Sequence, residues 1–152
     1  MTIRLGASAV IVRDNQLLLV EFDAEDVGVH YNLPGGGVED NELLEDAVRR
    51  EVLEETCVHV NVGRVLFVFE YVPTQHRYKY GARHGVNVIF ECIVQDDSEA
   101  RLPDVPDKDQ IGVRWVPLND LERIPLLPHV GGQLIAALQN KEHYPTILRE
   151  SV

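Results

Sequence analysis

The chain has 152 residues, a hydrophobic content of 45% and a formal net charge of -11 at neutral pH. This length fits one domain, residues 1–152, with a core of ordinary size, and leaves no room for a second domain. The acidic balance argues against a long nucleic acid as the natural partner, because the whole molecule would repel a polyanion, whereas a small anion bound with a metal ion is compatible with it.

The N-terminal residues MTIRLGASAVIVRD contain an apolar run of only strand length, so we expect no signal peptide. No window approaches the roughly 20 apolar residues that a membrane-spanning helix needs, and we expect no membrane partner. The two cysteines, Cys57 and Cys92, are too few for a disulfide framework and favour a reducing compartment. We therefore predict a soluble, cytoplasmic protein.

The first predicted elements are two strands, residues 4–12 and 16–22, joined by Asp14 and Asn15 in a tight hairpin turn. A polar stretch, residues 23–30, leads into the sequence LPGGG at residues 33–37. Its proline and glycines predict a loop with backbone angles that other residues resist.

The only long helix signal follows at residues 42–56. Strands are then predicted at 58–72 and 85–94, an irregular acidic segment at 96–109, a further strand at 112–116 and a second helix at 131–139. Strands on both sides of one helix, with a second helix near the end, predict an α/β fold in which a mixed β-sheet is sandwiched between helices.

The first predicted helix has an apolar face that turns acidic toward its end. At about 100° per residue its core face is formed by Leu44, Ala47 and Val48. The same sector is continued by three carboxylates, those of Glu51, Glu54 and Glu55. One interpretation is an ordinary solvated helix end.

The position of these carboxylates favours a metal site instead. They repel one another at spacings of three and four residues and lie near the negative end of the helix dipole. A hard divalent cation such as Mg²⁺ or Mn²⁺ offsets this repulsion better than the nearby side chains of Arg49 and Arg50. The glycine segment directly upstream can approach a metal or a phosphate closely, so the two features predict one site.

The stretch PGGGVEDNELLEDAVRREVLEETCV resembles the Nudix box, in which a glycine, five residues, a glutamate and seven residues precede Arg-Glu-apolar-x-Glu-Glu. The matching positions are Gly36, Glu42, Arg50, Glu51, Val52, Glu54 and Glu55. The match covers about a sixth of the chain and fixes many positions at set spacing. Two positions depart from the usual pattern, since Cys57 and Asn41 stand where glycines are common; neither supplies a metal ligand.

The resemblance implies a Nudix-type fold and hydrolysis of a phosphoanhydride bond in a small nucleotide-type substrate, and by analogy a homodimer. It implies that Glu51, Glu54 and Glu55 bind Mg²⁺ or Mn²⁺ together with the carbonyl of Gly35, and that Arg50 belongs to the catalytic set. Glu42 would pair with Arg50 and support the glycine segment around Gly36. The metal would orient the diphosphate and lower the pKa of the attacking water.

The general base is left open, because the family takes it either from the box or from a downstream loop. Asp104, Asp107 and Asp109 are candidates for the base or for a further ligand, although aspartates are also common in solvated turns.

Residues 74–84, TQHRYKYGARH, combine cations and aromatic rings without an acidic residue. We predict that Arg77, Tyr78 and Lys79 bind substrate, by charge on the phosphates and stacking on a base. The alternative is an ordinary exposed hairpin or a dimer contact.

Pro73 lies about fifteen residues past the box, which resembles ADP-ribose hydrolases, and we favour ADP-ribose or another nucleotide sugar. The alternatives are a nucleoside triphosphate sanitising pyrophosphohydrolase and a non-catalytic nucleotide-sensing module. The intact glutamate set argues against the sensor. The acidic residues lack the spacing of an EF-hand loop, which argues against a calcium-binding structural protein. The histidines lack zinc-ligand spacing, so no zinc site is predicted.

Overall fold

The computed structural model describes residues 2–140, 142 and 144–151. Strand β1 (Arg4–Arg13) and strand β2 (Gln16–Ala24) form the predicted hairpin. The two turn residues, Asp14 and Asn15, have φ angles of 53° and 59°. Two successive positive φ values are the geometry of a type I′ turn, which asparagine and aspartate adopt more readily than most residues.

The segment that follows contains two short strands that the sequence did not predict. Strand β3 (Gly28–Asn32) pairs antiparallel with β2, and strand β4 (Gly35–Gly37) pairs antiparallel with β1. The prediction of a loop with unusual backbone angles at residues 33–37 was therefore wrong, since none of the three glycines has a positive φ.

Close contacts explain these glycines instead. A Cβ atom at Gly35 would lie 2.2 Å from the Oγ of Ser8, and one at Gly36 would lie 2.5 Å from the Cδ of Glu51. Such distances leave no space for a side chain, so the glycines allow β4 to lie between β1 and the first helix.

The remaining elements follow the predicted order. They are α1 (Leu44–Thr56), β5 (Val60–Tyr71), β6 (Gly85–Val94), β7 (Gln110–Pro117), a 3₁₀ helix (Leu118–Asp120), α2 (Gly131–Gln139) and β8 (Ile147–Leu148). The predicted bounds of β6 and α2 are confirmed, whereas α1 begins two residues later than predicted. The sequence did not predict β8, whose two residues pair in parallel with β5.

The strands form one mixed sheet in the order β3-β2-β1-β6-β5-β8, with β4 on β1 and β7 on β2. Alternate residues of β1 enter two separate cores. Ala9 packs in the cluster that holds Val48 and Val52 of α1, whereas Val10 packs in the cluster that holds Leu134 of α2. The two helices thus cover opposite faces, and the predicted mixed sheet between helices is confirmed.

No helix in the described part of the chain has the length and apolar character needed to cross a bilayer.

Candidate active site

Helix α1 brings carboxylates to the edge of the core. Glu55 is buried at 5% relative exposure, and the side chain of Glu51 is 14% exposed. The side chain of Glu54 is 58% exposed and lies at the solvent side of the same end of the helix. The structure therefore places two of the three predicted glutamates inside the protein surface and the third at its margin.

Both inward glutamates contact the glycines of β4. The backbone amide of Gly35 donates a hydrogen bond of 2.7 Å to Oε1 of Glu55. The carboxylate of Glu51 fills the space where a side chain at Gly36 would lie. Helix and glycine strand thus face one site, as the sequence predicted, but the Gly35 contact that the structure shows is made by its amide.

The site concentrates negative charge. Burial raises the pKa of Glu55 to about 8, and the charges of Glu51, Asp107 and Glu54 act in the same direction against the Gly35 hydrogen bond. Burial also raises the pKa of Glu51, although Arg50 opposes that shift. Both pKa shifts indicate that the nearby positive charge does not balance the cost of burying these carboxylates in their ionised form.

Arg50 joins the helix to the glycine strand. It donates two hydrogen bonds to the carboxylate of Glu42, of 2.8 and 2.9 Å, one of 2.9 Å to the carbonyl of Gly37 and one of 2.7 Å to Glu51. These hydrogen bonds lower the pKa of Glu42 to about 2 and raise that of Arg50. Arg50 therefore fixes the position of Glu51 and of β4 at once.

The two positions that depart from the family pattern keep the backbone that glycine would adopt. Asn41 and Cys57 have φ angles of 63° and 62°. The amide of Cys57 donates to the carbonyl of Leu53 at 3.0 Å, which closes the last turn of α1. A side chain is accommodated at both positions without loss of the local structure.

The donor atoms fit a divalent cation in chemical type. Among the described residues, no group of three or more His, Cys, Asp or Glu side chains is already arranged as a metal cage. Yet Glu55 is a buried carboxylate that forms no ion pair with a cationic side chain of the described chain. Hard oxygen donors with unbalanced charge are the ligands that Mg²⁺ and Mn²⁺ prefer.

The loop before β7 brings one of the three candidate aspartates to this site. The charge of Asp107 raises the pKa of both Glu51 and Glu55. Asp104 instead lies 3.6 Å from exposed Arg101, and the carbonyl of Asp109 accepts a hydrogen bond from the amide of Asp23.

Gln110 ties this loop to the helix, and sequence reasoning missed it. Its buried side chain donates to the carbonyl of Glu55 at 2.9 Å and accepts from the amide of Asp107 at 3.1 Å. A single glutamine at the start of a strand gives no signal of this kind in sequence.

Two neighbouring cavities share part of their walls near the glycine strand β4. A cavity of about 160 Å³ begins at Gly35 and Gly36, and a second one of about 600 Å³ lies beyond it. Their shared walls include Arg4 of β1, Asn32 of β3 and Asn87 of β6. None of these three residues was predicted from the sequence, because strand pairing and not a local motif brings them together.

Of the three residues predicted to bind substrate, Lys79 lines the larger cavity, whereas Arg77 and Tyr78 do not. Arg77 and Tyr78 have φ angles of 50° and 58°, in a turn that leaves both side chains exposed. The Nζ of Lys79 lies 3.0 Å from Oε1 of Glu150 near the C-terminus. The cationic loop therefore approaches the cavity through Lys79.

The chain is similar to known proteins of one family. The family model for the NUDIX domain matches residues 2–138. An ADP-ribose pyrophosphatase of Methanocaldococcus jannaschii is 30% identical over 86 residues, which are 57% of this chain and 48% of that protein. A Caenorhabditis elegans relative is 28% identical over 120 residues, 76% of this chain and 29% of that protein. The chain thus spans less than half the length of these curated relatives.

Solved structures show the same fold. A NUDIX hydrolase from Nitrosomonas europaea superposes with a TM-score of 0.76 at 21% identity, covering 95% of this chain and 93% of that one. A MutT NUDIX hydrolase from Burkholderia pseudomallei superposes with a TM-score of 0.68 at 28% identity, covering 91% and 98%.

Proposed function

The chain belongs to the NUDIX domain family, and we propose that it is a metal-dependent hydrolase that cleaves the pyrophosphate bond of a nucleoside diphosphate derivative. The observation that carries this proposal is the convergence of Glu51 and Glu55 on the glycines of β4. Such a buried acidic site is costly for a protein that does not bind a cation there.

Glu51, Glu54 and Glu55, with the carbonyl of Gly35, would hold Mg²⁺ or Mn²⁺. The ion supplies neutralisation of phosphate charge and a more acidic water. Arg50 holds the carboxylate of Glu51 in place through the hydrogen bond between them. Glu42, which accepts two hydrogen bonds from Arg50, keeps that guanidinium from turning away. The amide of Gly35 sets the orientation of Glu55 in the same manner.

Asp107 is the loop aspartate that we propose as general base or additional ligand. Its charge acts on both inward glutamates, and Gln110 holds the backbone of its loop against the end of α1. The carboxylate of Asp107 would accept the proton of the attacking water.

We propose ADP-ribose or another nucleotide sugar as the substrate. The named activity of the Methanocaldococcus jannaschii relative supports ADP-ribose, at 30% identity over 57% of this chain. The cavity of about 600 Å³ beyond the glutamates has the volume of a site for a nucleoside-sized group. A nucleoside triphosphate is the second candidate substrate, because its phosphoanhydride bonds would place the same kind of charge beside a metal ion held by Glu51 and Glu55. The cytoplasmic location and the homodimer remain predictions.

A substrate panel tests the proposal. The protein is incubated with Mg²⁺ and ADP-ribose, nucleotide sugars, deoxynucleoside triphosphates or dinucleoside polyphosphates, and kcat/KM is ranked from the phosphate-containing products. We expect AMP and ribose 5-phosphate from ADP-ribose, and no turnover with excess chelator. Preferred release of pyrophosphate from a triphosphate would select the second candidate. Tight binding of a nucleotide without turnover in Mg²⁺ or Mn²⁺ would instead indicate a sensor.

A further inference from the structure

Arg4 lies in the wall that the two cavities share. Its side chain lines both the cavity of about 160 Å³ beside Gly35 and Gly36 and the cavity of about 600 Å³ beyond it. A molecule that occupies both cavities would therefore come within reach of this guanidinium.

The guanidinium of Arg4 lies next to two glycines, one on β1 and one on β4. Gly6 of β1 and Gly37 of β4 are paired in register. A Cβ atom at Gly6 would lie 3.5 Å from Nη1 of Arg4, and one at Gly37 would lie 3.8 Å from Nη2. The guanidinium therefore lies against the paired strands at Gly37, on the face of β4 opposite to the one at which Gly36 contacts Glu51.

The charge of Arg4 is not committed to another group. Within the described residues, its guanidinium forms no ion pair and no hydrogen bond with a carboxylate, whereas Arg50 and Arg64 are both paired with glutamates. Lys79, on the wall of the larger cavity, is paired with Glu150. In a chain with a net charge of -11, an unpaired arginine in a cavity is available for an anionic ligand.

We propose that Arg4 binds the substrate phosphate that is attached to the group in the larger cavity, and so places the neighbouring phosphoanhydride bridge beside Glu51 and Glu55. This assignment rests on the proposed function. A planar guanidinium matches two phosphate oxygens, and the smaller cavity that Arg4 lines reaches Gly35 and Gly36, the glycines whose backbone contacts Glu55 and Glu51. Arg4 would thus favour substrates that carry a phosphate between the cleaved bridge and the group in the larger cavity.

The test compares Arg4→Ala and Arg4→Lys with the wild type. Arg13→Ala is the matched control, because Arg13 ends the same strand, lies over the ring of Trp115 and lines neither cavity. Binding of ADP-ribose is measured by calorimetry in chelator, and KM and kcat are measured in Mg²⁺ with the best substrate of the panel. Circular dichroism and thermal melting verify that each variant is folded.

We expect Arg4→Ala to weaken ADP-ribose binding by about tenfold or more, as the loss of a charge-assisted hydrogen bond implies. Arg4→Lys should recover part of the affinity, and Arg13→Ala should match the wild type. Equal affinity of Arg4→Ala and wild type, or absence of ADP-ribose binding by the wild type, would overturn the assignment.

The two proposals fail in different ways. A wild type that binds ADP-ribose through Arg4 but hydrolyses nothing in the panel would overturn the proposed activity and leave the binding role of Arg4 standing. A wild type that hydrolyses its substrate with a KM that Arg4→Ala leaves unchanged would overturn the role of Arg4 alone.

Discussion

The amide of Gly35 and the carboxylate of Glu55 are joined by a hydrogen bond of 2.7 Å, although the two residues are 20 positions apart in the chain. The bond connects strand β4 to helix α1. A side chain at Gly35 would meet both Ser8 and the backbone of Ala7, so only glycine lets β4 lie this close to β1 while its amide reaches Glu55. The glycine and the buried acid therefore form one structural unit.

Replacing Glu55 by glutamine should separate stability from activity. The side-chain amide oxygen of the introduced glutamine would still accept the hydrogen bond from Gly35, while the ionisable carboxylate, whose charged form burial, Glu51 and Asp107 disfavour, would be lost. We expect turnover in Mg²⁺ to fall by at least about a hundredfold. Thermal unfolding in chelator should occur at the same temperature as in the wild type or at a higher one.

Glu45→Gln is the control for this change, because Glu45 is an exposed glutamate in the first turn of the same helix. It should leave turnover unchanged. Glu54→Gln should also remove most activity if Glu54 is a ligand. Retained turnover in both Glu54→Gln and Glu55→Gln would show that these glutamates do not hold the metal.

Gly36 and Gly37 of β4 should differ sharply in how well the protein tolerates their replacement by alanine. An alanine Cβ at position 36 would lie 2.5 Å from Cδ of Glu51, whereas one at position 37 would meet nothing nearer than Arg4 Nη2 at 3.8 Å. Gly36→Ala should therefore displace Glu51 and lower activity by about 10- to 100-fold, the range seen when the support of a metal ligand is disturbed. Gly37→Ala should stay near wild type.

Titration with Mn²⁺, followed by electron paramagnetic resonance, should report weaker binding in Gly36→Ala than in Gly37→Ala. Both substitutions remove the same backbone freedom, so a difference between them isolates the contact with Glu51. Equal metal affinity and equal turnover in the two variants would contradict the position that we assign to Glu51.

Local patterns predicted the elements that depend on local chemistry. The turn at Asp14 and Asn15 follows from the backbone preference of these residues, and helix α1 follows from its apolar period. Strand β4 was not predictable in this way, because three glycines have no strand propensity of their own. Only pairing with Gly6, Ala7 and Ser8 makes them a strand.

The residues of the site also fall into two groups, those that local spacing predicts and those that only the tertiary fold brings together. The spacing in α1 predicted that Glu51 and Glu55 would lie on one flank, and the structure places both against the glycine strand. Arg4 and Asn87 line one cavity because β1 pairs in parallel with β6, in a register that the sequence does not display. Gln110 reaches the end of α1 across 55 positions and is equally hidden.

The pairing of Glu42 with Arg50 should make the free energy of unfolding depend on pH in the acid range. The pKa of Glu42 falls from 4.5 to about 2 in the folded protein because Arg50 donates to its carboxylate. A lowered pKa adds stability that is complete above pH 4.5 and is lost as the pH falls toward 2. Glu42→Gln should therefore be less stable than the wild type at pH 7, and this difference should shrink between pH 4.5 and pH 3.

Urea denaturation at pH 7, 4.5 and 3 measures the effect. Asp46→Asn is the control, since Asp46 pairs with Arg49 at 2.9 Å on the exposed side of the same helix. An exposed pair of this kind contributes about 1 kcal/mol or less. A wild-type advantage over Glu42→Gln that did not change with pH would show that Arg50 does not hold the ionised form of Glu42.

Substrate recognition by the cationic loop should depend on Lys79 more than on Arg77. Lys79 lines the larger cavity, whereas Arg77 is exposed and lines neither cavity. Lys79→Ala should raise KM by several-fold with little change in kcat, because a phosphate contact distant from the cleaved bond contributes to binding in both ground and transition states.

Glu150→Gln should have the opposite effect on KM. The carboxylate of Glu150 lies 3.0 Å from Lys79 Nζ and competes with a substrate phosphate, so its neutralisation should lower KM. A larger KM in Arg77→Ala than in Lys79→Ala would assign recognition to the outer side of the loop, and an unchanged KM in all three variants would leave the loop without a part in binding.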